Sequence, residues 1–214
     1  MGPVLTDLLT LAVLAFIASR LLGAVRVALA PAGRRRWAAV VRGLRIRHFA
    51  LALPVLLVVL LAAYLLLQVP GLSFGWWTAL GGQGNPVFGS TTRHHDSLFT
   101  TIIPIAFVAL LLPTLPLFAL REEEVFRAGS EDRTTRERAW SCIKFGLVHA
   151  LIGIPIGVAL ALSIGGAYFT WVYLRTWRRT RSVTAAALES ARAHLAYNLT
   201  ILIVVAVSLA TSSV

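Results

Sequence analysis

Residues 3–25, 49–69 and 98–120 are each apolar over the roughly 20 positions that a helix needs to cross a hydrocarbon layer. Past a polar stretch, residues 145–177 are again apolar or small, apart from Lys144 just ahead of them, His149 inside and Arg175 near the end, and a last apolar segment covers about 185–210. The pattern predicts an all-α polytopic membrane protein. As one helix, residues 145–177 would run for roughly 50 Å at 1.5 Å per residue, against a hydrocarbon core of about 30 Å. Two spans are therefore expected there, and Gly165-Gly166 is the predicted break, since glycine adopts turn conformations that other residues avoid.

Charge placement tests this count of six spans. Connections on the cytoplasmic side accumulate Lys and Arg. The arginines other than Arg93 gather in or beside alternate connections: Arg20 to Arg47 after the first span, Arg121 to Lys144 after the third, and Arg175 to Arg181 before the last. The connection over residues 70–97 holds only Arg93 and Asp96, and the tail after residue 210 has no charged side chain. Both termini are thus expected outside. A single span over 145–177 would put the Arg178 to Arg181 cluster on the wrong side.

Composition changes the picture only by excluding alternatives. The chain of 214 residues is 57% hydrophobic and 14% charged, where soluble domains hold about 45–50% and about 25%. Its net charge of +11 follows membrane topology, so no nucleic-acid partner is expected. The partners implied are membrane lipids and membrane-associated peptides. Cys142 is alone, which excludes an internal disulfide. The apolar start carries Asp7 and no basic residue ahead of it, so it reads as a retained span and not as a signal peptide. There is no internal repeat, and the whole chain, 1–214, reads as one membrane-embedded domain. Residues 34–47 mix arginines with Trp37, Val40, Val41, Leu44 and Ile46, which fits either a helix on the anionic leaflet or a solvated basic loop.

Ionisable groups inside spans are costly and usually functional. Of the five histidines, His48, His94 and His95 fall in connections, whereas His149 and His194 lie in apolar segments. His149 is five residues past Lys144 and His194 two past Arg192, so both are expected near the cytoplasmic surface. The run Arg121-Glu122-Glu123-Glu124 begins where the third span leaves the membrane on that side. If the helix continues, Glu123 and Arg127 are paired four residues apart, and Glu122 is rotated about 100° away, free to act on a water. His194 and Asn198 share one face of the last helix, from which both can donate to one oxygen.

Taken in order, Glu122-Glu123-x-x-x-Arg127, Phe145-x-x-x-His149 and His194-x-x-x-Asn198 resemble the three signature motifs of the CAAX protease and bacteriocin-processing family, also called the Abi family of intramembrane proteases. Each motif alone is weak; the resemblance lies in their order and covers residues 122–198. It implies an intramembrane glutamic endopeptidase of the type II CAAX prenyl protease kind, in the inner membrane with its site facing the cytoplasm. Glu122 is then the general base, His149 its partner in activating water, and His194 with Asn198 the oxyanion donors. Glu123, Arg127 and Phe145 become supporting residues, and no resident cofactor is implied. Physical chemistry agrees with that division: hydrolysis needs a base tuned toward neutral pH and preorganised donors where negative charge develops.

Blander readings exist for each motif. Glu122 to Glu124 can balance nearby arginines as a solvated acidic patch, and His149, His194 and Asn198 can be interhelical polar glue. Glu122, His149 and His194 can also ligate zinc, although no His-Glu-x-x-His motif is present. A silent scaffold or immunity factor of the same fold is the alternative from another class, and a transporter is disfavoured because the polar groups avoid the midplane. His94-His95-Asp96 reads as loop, and the glycosylation pattern at Asn198 to Thr200 is discounted because it lies within a span.

Overall fold

The computed structural model describes residues 3–79 and 103–212. Arg93, His94, His95 and Asp96, and the expected start of the third span at residue 98, lie outside the described residues. Among the described residues the chain is all helical: α1 (Pro3–Leu29), α2 (Pro31–Val41), α3 (Ile46–Leu67), the single turn α4 (Trp76–Ala79), α5 (Ile103–Phe126), α6 (Thr135–Leu147), a 3₁₀ segment (Val148–Ile152), α7 (Ile156–Thr180) and α8 (Val183–Ser212). Four of these helices are long and apolar enough to cross a membrane, over Leu11–Leu29, Ile46–Leu67, Ile105–Phe126 and Ile156–Thr180.

The predicted break at Gly165-Gly166 is not where the chain turns. Both glycines lie inside the continuous helix α7, and the turn falls at Gly153, Ile154 and Pro155. Gly153 takes the left-handed conformation at φ 90°, and Pro155 then sets the entry to α7. A backbone group buried without a partner costs about as much as a lost hydrogen bond, so such a turn needs partners. They come from the chain after α3. The N–H groups of Ile156 and Gly157 donate to the carbonyls of Phe74 and Leu72 at 2.9 and 2.7 Å. In return the Trp76 indole donates to the carbonyls of Ala150 and Leu151. Gly165 and Gly166 serve packing instead: a β-carbon at Gly166 would stand 3.1 Å from the Phe145 ring and 3.2 Å from the Arg127 guanidinium.

Because α6 and α7 form a hairpin that turns at the far end of α3, α7 brings Arg178 and Arg179 back to the end where α3 begins. The arginine-rich segments therefore meet at one end of the bundle. There Glu189 of α8 binds Arg47 at 2.6 Å and Arg192 at 3.0 Å, and accepts from His48 at 3.1 Å. The backbone N–H of Arg45 donates to His48 Nδ1, which leaves the ring proton on the nitrogen facing Glu189. Segment 34–47 is neither a free loop nor wholly exposed. Its first part is α2, clamped against the bundle through fully buried Val40, with the Trp37 indole donating to the Pro113 carbonyl and Arg192 donating to the Ala39 carbonyl.

The core is built on α7, whose small residues admit α3, α6 and α8. Gly146 shows how tight this is: a β-carbon there would lie 2.2 Å from the Ala159 carbonyl oxygen and 2.9 Å from the Ser163 nitrogen, both backbone atoms that cannot rotate away. Gly146→Ala is accordingly expected to destabilise the α6–α7 hairpin by about 1–3 kcal/mol, the range for overpacking. Thermal unfolding in detergent measures this, and an unchanged transition would show that the two helices can separate freely.

Candidate active site

Glu122 and Glu123 lie on the last turn of α5, whose carboxy-terminal end is closed by side chains from the next segment. The Phe126 carbonyl accepts from Ser141 Oγ at 2.7 Å and from Arg133 at 3.1 Å, and Arg133 also reaches the Ala128 carbonyl. These bonds satisfy carbonyls that a helix end leaves without partners. Gly129, at φ 80°, then turns the chain toward α6, whose start is capped by reciprocal bonds between Thr134 and Glu137.

One residue separates two carboxylates in opposite surroundings. The Glu123 side chain is 0% exposed, whereas that of Glu122 is 35% exposed. Glu123 Oε2 accepts from Ser190 Oγ at 2.5 Å and lies 3.5 Å from Arg127 Nε, while Oε1 accepts from His194 Nδ1 at 2.9 Å. The predicted pairing of Glu123 with Arg127 is therefore present. Arg127 is itself buried, donates to the Gly166 carbonyl at 3.2 Å, and sits 4.2 Å over the Phe145 ring, with Phe126 and Phe169 at 5.5 and 5.7 Å. Its Nε and Nη1 make no hydrogen bond, so the guanidinium is balanced by the carboxylate and by aromatic faces.

Since the Glu123 carboxylate accepts from His194 Nδ1–H, the opposite nitrogen of that ring is turned toward Glu122. His194 Nε2 lies 3.7 Å from Glu122 Oε2. At that distance the two groups face each other just beyond hydrogen-bond reach. The Phe169 ring stacks on His194 at 4.3 Å and 20°, and the Phe145 ring meets it edge-on at 5.5 Å. The imidazole is thereby fixed from both sides and at one nitrogen.

His149, His194 and Asn198 line one apolar cavity of about 370 Å³ between α3, α7 and α8, with Phe145, Phe169 and Tyr197 in its walls. His149 departs from the sequence expectation in depth. It lies on the 3₁₀ segment next to the turn at Gly153, toward the end of the bundle opposite the arginines, and its ring reaches back to the Phe145 ring at 5.2 Å. The reason is the displaced turn: α6 begins at Thr135 and runs inward well before the apolar stretch at 145. His149 Nδ1 donates to the Phe145 carbonyl at 2.8 Å, because a carbonyl can only accept. No hydrogen bond or ion pair joins His149 to Glu122 among the described residues, and no three metal-ligating side chains converge among them.

Ser190 and Phe169 belong to the site and were not among the sequence-derived candidates. Ser190 was readable, being four residues before His194 and eight before Asn198, hence on the same face of α8. Phe169 had no such signal, since nothing local distinguishes it from the other aromatics of α7. In comparisons with known proteins, no family model, no curated protein and no solved structure matches the chain.

The two carboxylates should separate cleanly in stability measurements. Arg127→Met leaves Glu123 buried without its cation and is expected to cost about 3–5 kcal/mol. Glu122→Gln, at a half-exposed position with one long contact, is expected to cost less than about 1 kcal/mol. Unfolding of both variants in the same detergent checks the difference; equal losses would mean that Glu122 is as structural as its neighbour.

Proposed function

We propose that this chain is an intramembrane glutamate-type endopeptidase that hydrolyses peptide bonds of membrane-associated peptides or proteins, with its site toward the cytoplasmic side of the cell membrane. The observation that carries the reading is the 3.7 Å approach of Glu122 to Nε2 of His194, whose ring is fixed by Glu123 and shares a cavity with His149 and Asn198. The order of the three motifs, similar to that of the CAAX protease and bacteriocin-processing family, supports it independently.

In this mechanism a scissile carbonyl enters the cavity beside His194 and Asn198, and the Glu122 carboxylate removes a proton from the attacking water. The hydroxide adds to the carbonyl carbon, and the oxygen that becomes negative accepts from His194 Nε2–H and the Asn198 amide. This role requires protons on both ring nitrogens of His194, a charge that buried Glu123 offsets while the oxyanion forms. As the C–N bond breaks, Glu122 returns its proton to the leaving amine. His149, its Nδ1 held by the Phe145 carbonyl, offers Nε2 to the water from the other side of the cavity.

Glu122→Gln keeps the shape and removes the base. Cleavage of a peptide substrate by the purified protein in detergent is expected to fall by about 10²–10⁴-fold. Asn198→Ala removes one oxyanion donor and is expected to cost about 10²–10³-fold in kcat. Comparative peptidomics of cells carrying wild-type or Glu122→Gln protein identifies the substrate in the same experiment. An identical peptide profile, together with an unaltered biological effect, would instead make the chain a scaffold. Activity is expected to survive thorough chelation; its loss, with restoration by zinc, would assign Glu122, His149 and His194 as ligands.

A further inference from the structure

On the face of α5 turned toward α1 and α2 there is a second cavity, of about 510 Å³, whose walls include Arg20, Gly23 and Val27 of α1, Arg36 of α2, and Phe118 and Arg121 of α5. It lies at the arginine-rich end of the bundle, away from His149, His194 and Asn198, and its charge is unbalanced. Arg36 and Arg121 share one acid: both pair with Glu124, the latter at 3.7 Å. No acid pairs with Arg20 among the described residues. Three guanidinium groups therefore face a single carboxylate.

Apart from Ser19, whose hydroxyl donates to the Phe16 carbonyl, the rest of the wall is apolar or glycine. Leu117 and Phe118 line the cavity, and Val27, which also lines it, is exposed. The floor is empty as well, since a β-carbon at Gly23 would meet nothing within 4 Å. A ligand that suits this shape has an anionic head able to take two forked guanidinium contacts and a hydrocarbon body that continues along α1 and α5. A free anion would leave the apolar wall unused, and a zwitterionic head would bring its own cation against three arginines.

We propose that this cavity binds the headgroup phosphate of one anionic phospholipid from the leaflet at the arginine-rich end, with its first acyl carbons on Leu117 and Phe118. Arg20 and Arg121 hold the phosphate, and Arg36, anchored by Glu124, closes the site from α2. Bound there, the lipid ties α1 and α2 to the end of α5 that carries Glu122. The inference does not depend on whether those carboxylates hydrolyse anything.

The test uses the full chain in detergent, titrated with phosphatidylglycerol or phosphatidylcholine and read by native mass spectrometry. Wild-type protein is expected to retain one phosphatidylglycerol in preference to phosphatidylcholine. Retention should drop by about tenfold or more in Arg20→Ala/Arg121→Ala, given the usual contribution of each cation near an anionic lipid. Gly23→Leu, which fills the floor while favouring the helix, should lower it without removing any charge. Circular dichroism verifies that both variants stay folded. Equal retention by wild type and both variants would overturn the proposal, as would equal retention of the two lipids. Displacement of phosphatidylglycerol by inorganic phosphate would overturn it too, by making the cavity a free-anion site.

Discussion

The burial of the Glu123 carboxylate fixes most of what surrounds it. A charge removed from water is tolerated only with partners close by, and Glu123 has three: Arg127 just beyond the end of α5, and Ser190 and His194 from α8. Arg127 in turn needs Gly166 of α7 and the Phe145 ring of α6. One carboxylate thus sets the rotation of α8, the approach of α7 and the depth of α6. Ser190 shows the coupling directly, because its hydroxyl reaches both Glu123 and the Phe169 carbonyl. Such a network stabilises only when complete, so its members are positioned together or not at all.

Its completeness is also what gives Glu122 a distinct environment. With Glu123 occupying His194 Nδ1, the only nitrogen of that ring left for chemistry is Nε2, and it faces the half-exposed carboxylate. Two adjacent glutamates would be interchangeable on a solvated helix. Here the helical rotation between them sends one into the core and leaves the other at its edge. The proposed division of labour between a positioning acid and a catalytic base rests on that rotation.

Much of this was legible before the fold was known, wherever chemistry depends on spacing within one helix. Glu123 with Arg127, and His194 with Asn198, required only that their helices continue. What was not legible depended on contacts between helices. A glycine pair suggests flexibility, yet Gly165 and Gly166 are notches, while the turn formed at Gly153 and Pro155, where Leu72, Phe74 and Trp76 supply the missing backbone partners. The depth of His149 was misread for the same reason, since α6 enters the bundle on the polar sequence that starts at Thr135. Likewise the arginines read as topology markers, and several also hold the fold together. Arg133 closes α5, Arg192 holds α2, and Arg47 joins α3 to α8 through Glu189.

The displaced turn bears on the chemistry as well. If the chain broke at Gly165-Gly166, His149 would lie at the level of Glu122 and the polar groups would form one shallow ring. With the turn at Gly153, the cavity extends from His194 past His149 to Ile154 and Val158, and its walls along that length come from Leu56, Val59 and Val204. Polar groups therefore crowd the arginine-rich end, and His149 stands part-way along an apolar trough. Water in such a trough is stable only where two or more polar partners reach it, which confines it to the stretch between the imidazoles and the amide. Under the proposed mechanism that confinement has a kinetic meaning: the reacting water is held near Asn198 and the imidazoles, at the His194 end that Glu122 approaches, and the remaining volume is left to the apolar part of whatever chain enters.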